Sequence, residues 1–191
     1  ILDSGENKSI AISVPDKYKI TYLELKNHVD TASNLLNSFG TLNERAIIIV
    51  LGNNAEFIIT FLAVTKTNAI AAPLNPEFTP EEFKFYLEDI NPSLLITTEG
   101  HQVIHEAKNK NIPIATVSFK QNTFDLKFDG SPYQHKDNNK PNENNSCLFL
   151  HTSGTTSRPK GVPLKHKNLL KSLDNIIDTY DLTKNDIAMV V

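Results

Sequence analysis

The chain has 191 residues, of which 39% are hydrophobic and 21% charged, with a formal net charge of -3 at pH 7. That length can bury a sizeable core in one or two domains, while the slightly acidic balance excludes the basic footprint of a nucleic-acid binder and a polybasic membrane patch. A single cysteine, Cys147, leaves no internal disulfide framework and suits a reducing, cytoplasmic setting; no apolar run reaches membrane-spanning length and no signal-peptide pattern opens the chain.

Residues 9–14 and 18–22 read as short strands joined by a turn at Pro15-Asp16. Thr21 then caps a helix, Glu24 completes a capping box, and Leu25, Val29, Ala32, Leu35 and Leu36 recur at helical spacing up to a C-cap at Gly40. The β-branched run 46–51 predicts a strand buried on both faces. Gly52-Asn53-Asn54 turns the chain into a helix carrying Phe57, Ile58, Phe61 and Leu62, and 69–73 is another buried strand. Thr79-Pro80-Glu81-Glu82 supplies a cap, an N1 proline and first-turn acids, with Phe83, Tyr86, Leu87 and Ile90 as the apolar face that follows.

A strand at 94–98, a helix at 100–110 and a strand at 112–117 continue the alternation, which predicts parallel βαβ units. The expected fold class is therefore α/β, with parallel sheets flanked by helices. Residues 1–117 form a first α/β sheet region, 118–145 a polar linker, and 146–191 a strand, loop, helix and strand that open a second sheet. Within that last part, 148–150 is a short buried strand, 166–180 a helix, and a terminal strand begins near 186. The start at Ile1 without Met and the apolar run to Val191, with no cap after it, predict a fragment cut inside a larger domain whose C-terminal region is missing.

The segment with the most chemistry is Thr152-Ser153-Gly154-Thr155-Thr156-Ser157-Arg158-Pro159-Lys160-Gly161. Small hydroxyl side chains and backbone N–H groups can converge on one point, Gly154 permits close backbone approach, and Lys160 adds a cation for phosphate oxygens. A polyphosphate needs this mixture. The spacing is not that of the Walker A loop, because Lys160 follows Pro159 and precedes Gly161. On composition alone, a polar surface turn after a strand stands beside the phosphate-binding reading.

In order as well as composition, the segment resembles the phosphate-binding signature of the acyl-adenylate-forming (AMP-binding) superfamily, departing from it at Ser157, where most members have Gly. The longer string from Leu150 to Leu164 resembles the oxalate–CoA ligases of plants and fungi, as do 72–87 and 177–186, while 53–58 resembles the superfamily's early strand–helix unit. This resemblance implies an ATP- and CoA-dependent acid–CoA ligase working through an acyl-adenylate with Mg²⁺. Oxalate is the favoured acid; an aromatic or medium-chain acid, or a nucleotide-binding module inactive alone, is the alternative. It implies ATP contacts at Thr152, Ser153, Gly154, Thr155, Thr156 and Lys160. The Mg²⁺-contacting Glu, the ribose-contacting Asp and the catalytic Lys are expected beyond this chain, so neither a catalytic nor a metal-ligating residue is assigned within it. The implied partners are ATP, a small carboxylate and the protein's own missing C-terminal region, with no nucleic acid and no integral membrane; a peroxisomal location is the alternative to the cytoplasm.

His101 and His105 stand four apart, as metal ligands can, but lack a third ligand and read as an exposed helix face. Cys147 reads as a packing residue, His151 as strand-end packing or a substrate contact, Arg158 as solvent-facing, and Phe57, Phe61, Phe83, Tyr86 and Leu87 as core stripes.

Overall fold

The computed structural model describes residues 5–40, 43–129, 141–152 and 159–189. A two-stranded antiparallel hairpin, β1 (Ile10–Val14) and β2 (Tyr18–Thr21), leads into helix α1 (Tyr22–Phe39). Next come β3 (Ala46–Val50), α2 (Ala55–Lys66), β4 (Ile70–Pro73), α3 (Pro80–Ile90), β5 (Leu94–Thr97), α4 (Val103–Asn109), β6 (Ile114–Lys120) and β7 (Thr123–Asp129). The described part of the chain continues with β8 (Ser146–Thr152), β9 (Lys160–Lys165) and α5 (His166–Tyr180). Seven strands form one sheet in the order β7-β6-β5-β3-β4-β8-β9.

Strand β3 lies at the centre, paired in parallel with β4 and β5, and Ile47, Ile48, Ile49 and Val50 are each 0% exposed. A strand alternates its side chains between the two faces, so both faces need cover. Ile47 and Ile49 face Leu25, Val29 and Leu36 of α1 and Ile59 and Ala63 of α2. Ile48 and Val50 face Phe83 and Leu87 of α3 and Val103 and Ala107 of α4. Burying a side chain of this size contributes roughly 1.5–3 kcal/mol. The α/β expectation holds, with a parallel centre and antiparallel pairs at both edges.

The helices begin where their caps dictate. Thr21 Oγ1 accepts from the N–H of Glu24, whose carboxylate accepts the N–H of Thr21 at 2.8 Å. Thr79 and Glu82 repeat this arrangement at α3, with Pro80 in the first turn. α1 stops at Gly40 (φ 142°) and α3 at Asn91 in the left-handed region.

Four sequence expectations need correction. Residues 118–145 are not a linker throughout, because β6 runs on to Lys120 and β7 returns antiparallel to it. Gln121 and Asn122 both take positive φ, the geometry of a two-residue hairpin turn, and Phe124, Leu126 and Phe128 alternate onto the α1 face. That period-two signal was present in the sequence. The strands after 145 extend the first sheet, through the Ala71↔Leu148 register, and open no second sheet among the described residues. β8 is buried only at Cys147, and α5, the helix that follows the hairpin, buries none of its own residues. The expected terminal strand is absent at 186–189, where Ile187 and Met189 are exposed and no neighbouring strand offers backbone partners; 190–191 lie outside the described residues.

The caps make a testable contribution to stability. Glu24 and Glu82 sit below their ordinary pKa, held down first by the N–H and then by the hydroxyl of the capping threonine. A carboxylate with a depressed folded-state pKa stabilises the fold fully above its unfolded value, about 4.3, and loses that contribution as pH falls through the folded value. Thr79→Ala should cost about 1 kcal/mol at pH 7 and flatten the acid limb of stability below about pH 4.5. Urea unfolding across pH 3–7 measures both, and an acid limb identical to wild type would contradict the cap.

Candidate functional site

The parallel register of β4 and β8 brings the end of β8 to the same carboxyl edge of the sheet as the ends of β3 and β4. Ligands of open α/β sheets bind outside this edge. β8 then turns into β9, and the hairpin register runs Phe149↔Pro163, Leu150↔Val162, His151↔Gly161 and Thr152↔Lys160. The hydroxyl-rich loop is therefore the connection of an antiparallel hairpin, and Thr152 and Lys160 are its two gateposts.

Both gateposts are solvent-exposed, and Thr152 Oγ1 lies 3.5 Å from the Lys160 carbonyl, at the outer limit for a hydrogen bond. Ser153, Gly154, Thr155 and Thr156 fall outside the described residues, as do Ser157 and Arg158. The structure thus brings two of the six expected phosphate contacts together across one strand pair. Pro163 sits on the edge strand, where its missing N–H removes no pairing on the inner side.

Below the gateposts the hairpin meets the α3 face through Phe149 and His151. A side chain on Gly161 would collide with the tip of the Phe149 ring, so glycine admits that ring across the strand pair without displacing it. His151 projects on the same side as Phe149, two residues away. Its side chain is 7% exposed, and its Nε2 lies 2.9 Å from Asp89 Oδ2 on α3. The imidazole meets the rings of Tyr86 and Phe149 edge-on, with centroids 4.7 and 5.2 Å apart. The Tyr86 phenol is raised above its usual pKa, first by burial and then by Glu82 and Asp89. His151 is therefore both packed and hydrogen-bonded, and its partner lies 62 residues away in sequence, beyond the reach of local pattern.

The other candidates resolve into structural roles. His101 precedes α4: its Nδ1 accepts the Val103 N–H at 3.1 Å, which leaves Nε2 to donate to the Pro76 carbonyl at 3.2 Å. His105 is exposed on α4. Cys147 is fully buried, its thiol pKa is raised by burial, and it contacts the Leu164 carbonyl at 3.6 Å. Phe83 and Leu87 are core residues; Phe57, Phe61 and Tyr86 pack partly buried around it. Among the described residues no three His, Cys, Asp or Glu side chains converge as a metal site would need, and no helix is long and apolar enough to cross a membrane. A crevice of about 410 Å³ lies at the carboxyl ends of β3 and β4, lined by Leu51, Gly52, Asn53, Phe57 and the 73–76 turn. It shares an edge with the hairpin but no lining residue.

Comparison with known proteins gives the family and the fold. The family described as "AMP-binding enzyme" matches residues 4–191. The probable CoA ligase CCL9 of Humulus lupulus is 38% identical over 190 residues, covering 95% of this chain and 36% of that protein. The oxalate–CoA ligase of Arabidopsis thaliana is 39% identical over 190 residues, covering 95% and 37%. The chain thus spans little more than a third of the length of these curated relatives. ATP-bound MatB from Rhodopseudomonas palustris shares the fold, with a TM-score of 0.77 at 21% identity over 97% of this chain and 38% of that one. With the family match running almost end to end and the fold shared by solved relatives, the chain belongs to the AMP-binding enzyme family.

Proposed function

We propose that this chain supplies the ATP-phosphate grip of an acid–CoA ligase that works through an acyl-adenylate, with oxalate as the acid. The observation that carries the reading is the β8–β9 hairpin at the carboxyl edge of the sheet, with Thr152 and the cation of Lys160 exposed at its mouth. Family membership and the similarity to an oxalate–CoA ligase support it.

In this reading a carboxylate oxygen attacks the α-phosphorus of ATP. The new O–P bond forms as the bond to the bridging oxygen breaks, and pyrophosphate leaves with the electron pair. The CoA thiolate then adds to the acyl carbon and AMP departs. Charge grows on the pyrophosphate oxygens during the first step, and preorganised donors with a nearby cation stabilise that charge more in the transition state than in bound ATP. Thr152, Ser153, Gly154, Thr155 and Thr156 donate to the phosphates, and Lys160 neutralises them. The Mg²⁺ that accompanies ATP would be held by the phosphates and by groups outside the described residues, since no carboxylate cluster is present among them. A buried, unreactive thiol at Cys147 suits the reducing cytoplasm or the peroxisome as the place of work.

Oxalate is small and doubly anionic, so its pocket should hold hydrogen-bond donors or a cation and not an apolar tunnel. In the intact gene product, ATP- and CoA-dependent AMP release should be fastest with oxalate among oxalate, malonate, acetate, hexanoate and coumarate. A preference for hexanoate or coumarate, with oxalate at background, would overturn the substrate and leave the adenylation reading intact. Lys160→Ala should slow ATP–pyrophosphate exchange by about 10²-fold and leave the unfolding midpoint unchanged, because an exposed lysine packs against little. Wild-type exchange in that variant would remove Lys160 from the mechanism.

A further inference from the structure

The gatepost residues are exposed, and Thr152 touches Lys160 only through a contact at the limit of hydrogen bonding. Their placement must come from the strands beneath them. β9 is an edge strand with no further neighbour among the described residues, and β8 joins β4 through a single registered pair, Ala71↔Leu148, four residues before Thr152. Between that pair and the loop, His151 makes a side-chain hydrogen bond that ties the hairpin to the body of the fold. Its ring is nine-tenths buried against Tyr86 and Phe149 and reaches Asp89 on α3. α3 is itself fixed from below by Phe83 and Leu87, at 0% and 1% exposure. On the other strand, Gly161 lies beneath the Phe149 ring and next to Lys160 in sequence.

We propose that His151 and Asp89 form a clamp that fixes the mouth of the phosphate loop, making both of them positioning residues for the nucleotide. This inference rests on the phosphate-grip reading and adds to it a second layer that touches no substrate. A displacement of about 1 Å at a reacting group can cost up to about 10²-fold in rate. The clamp sets the height of Thr152 directly, and that of Lys160 through the His151↔Gly161 pair beside it.

The clamp makes a pattern that simple destabilisation does not. In the intact gene product, His151→Phe keeps the ring packing and removes the hydrogen bond; Asp89→Ala removes the acceptor from an exposed position. Each should lower the kcat of ATP–pyrophosphate exchange by about 10-fold, with the KM for the acid unchanged. The double variant should be no slower than either single one. Asp89→Asn, whose amide oxygen still accepts from Nε2–H, should restore at least half of the wild-type rate. Glu88→Ala, which breaks the neighbouring exposed pair with Lys110, should behave as wild type. Wild-type kinetics in both His151→Phe and Asp89→Ala would overturn the clamp. So would a rate loss that follows the fall in unfolding midpoint and is not rescued by Asp89→Asn. A wild-type protein with no exchange activity against any acid would instead remove the phosphate-grip reading, and the clamp with it, which separates the two failures.

Discussion

Complete burial of the central strand governs this structure. Four consecutive side chains of β3 are shut off from water, and a strand cannot achieve this unless helices cover the sheet from both sides. The crossovers do so in turn: α2, between β3 and β4, goes to the face already held by α1, whereas α3 and α4 go to the other. β4 therefore sits where successive crossovers change faces. The carboxyl ends of β3 and β4 are left open to solvent at that point, and β8 adds itself beside β4 in the same direction. A loop delivered by β8 inherits this edge as its location.

Toward both margins the parallel centre gives way to antiparallel hairpins, β6–β7 and β8–β9, and the two differ in what they cover. β7 lays Phe124, Leu126 and Phe128 onto the α1 face, with Phe128 stacked 4.4 Å from Phe39, so it closes core. The β8–β9 hairpin is largely open. α5, which follows it, has no buried residue and exposes Leu170, Leu173, Ile176 and Tyr180. What holds this second hairpin is the β4–β8 pairing with buried Cys147, the packing of Phe149 against the α3 cluster and the His151–Asp89 hydrogen bond, and not a large apolar surface.

Much of the fold was legible in the sequence because its signals are local. Thr21–Glu24 and Thr79–Glu82 announce helix starts within four residues, the run at 46–51 announces a strand buried on both sides, and the run at 94–98 announces a strand. β7 was missed although Phe124, Leu126 and Phe128 alternate correctly, because the polar residues between them and the Asn-rich stretch beyond outweighed a short period-two pattern. The attachment of β8 to β4 was not legible. A one-pair parallel register between Ala71 and Leu148 leaves no mark in composition. For the site, the loop's order was readable and its ring of support was not. Gly161 looks like part of a loop motif, whereas its local reason is the Phe149 ring. The Asp89 that meets His151 belongs to a helix whose own pattern gives no hint of a partner on β8.

The proposed adenylation requires attack at the α-phosphorus of ATP, and oxygen transfer reads that step without relying on any one residue. The intact protein would be incubated with ATP, CoA and oxalate uniformly labelled with oxygen-18, and the nucleotide product weighed by mass spectrometry. Attack by the carboxylate predicts AMP that carries a single oxygen-18 from the acid, released when the thiolate takes the acyl group. Unlabelled AMP, or ADP formed together with labelled inorganic phosphate, would contradict adenylation and with it the role assigned to the Thr152–Lys160 gateway.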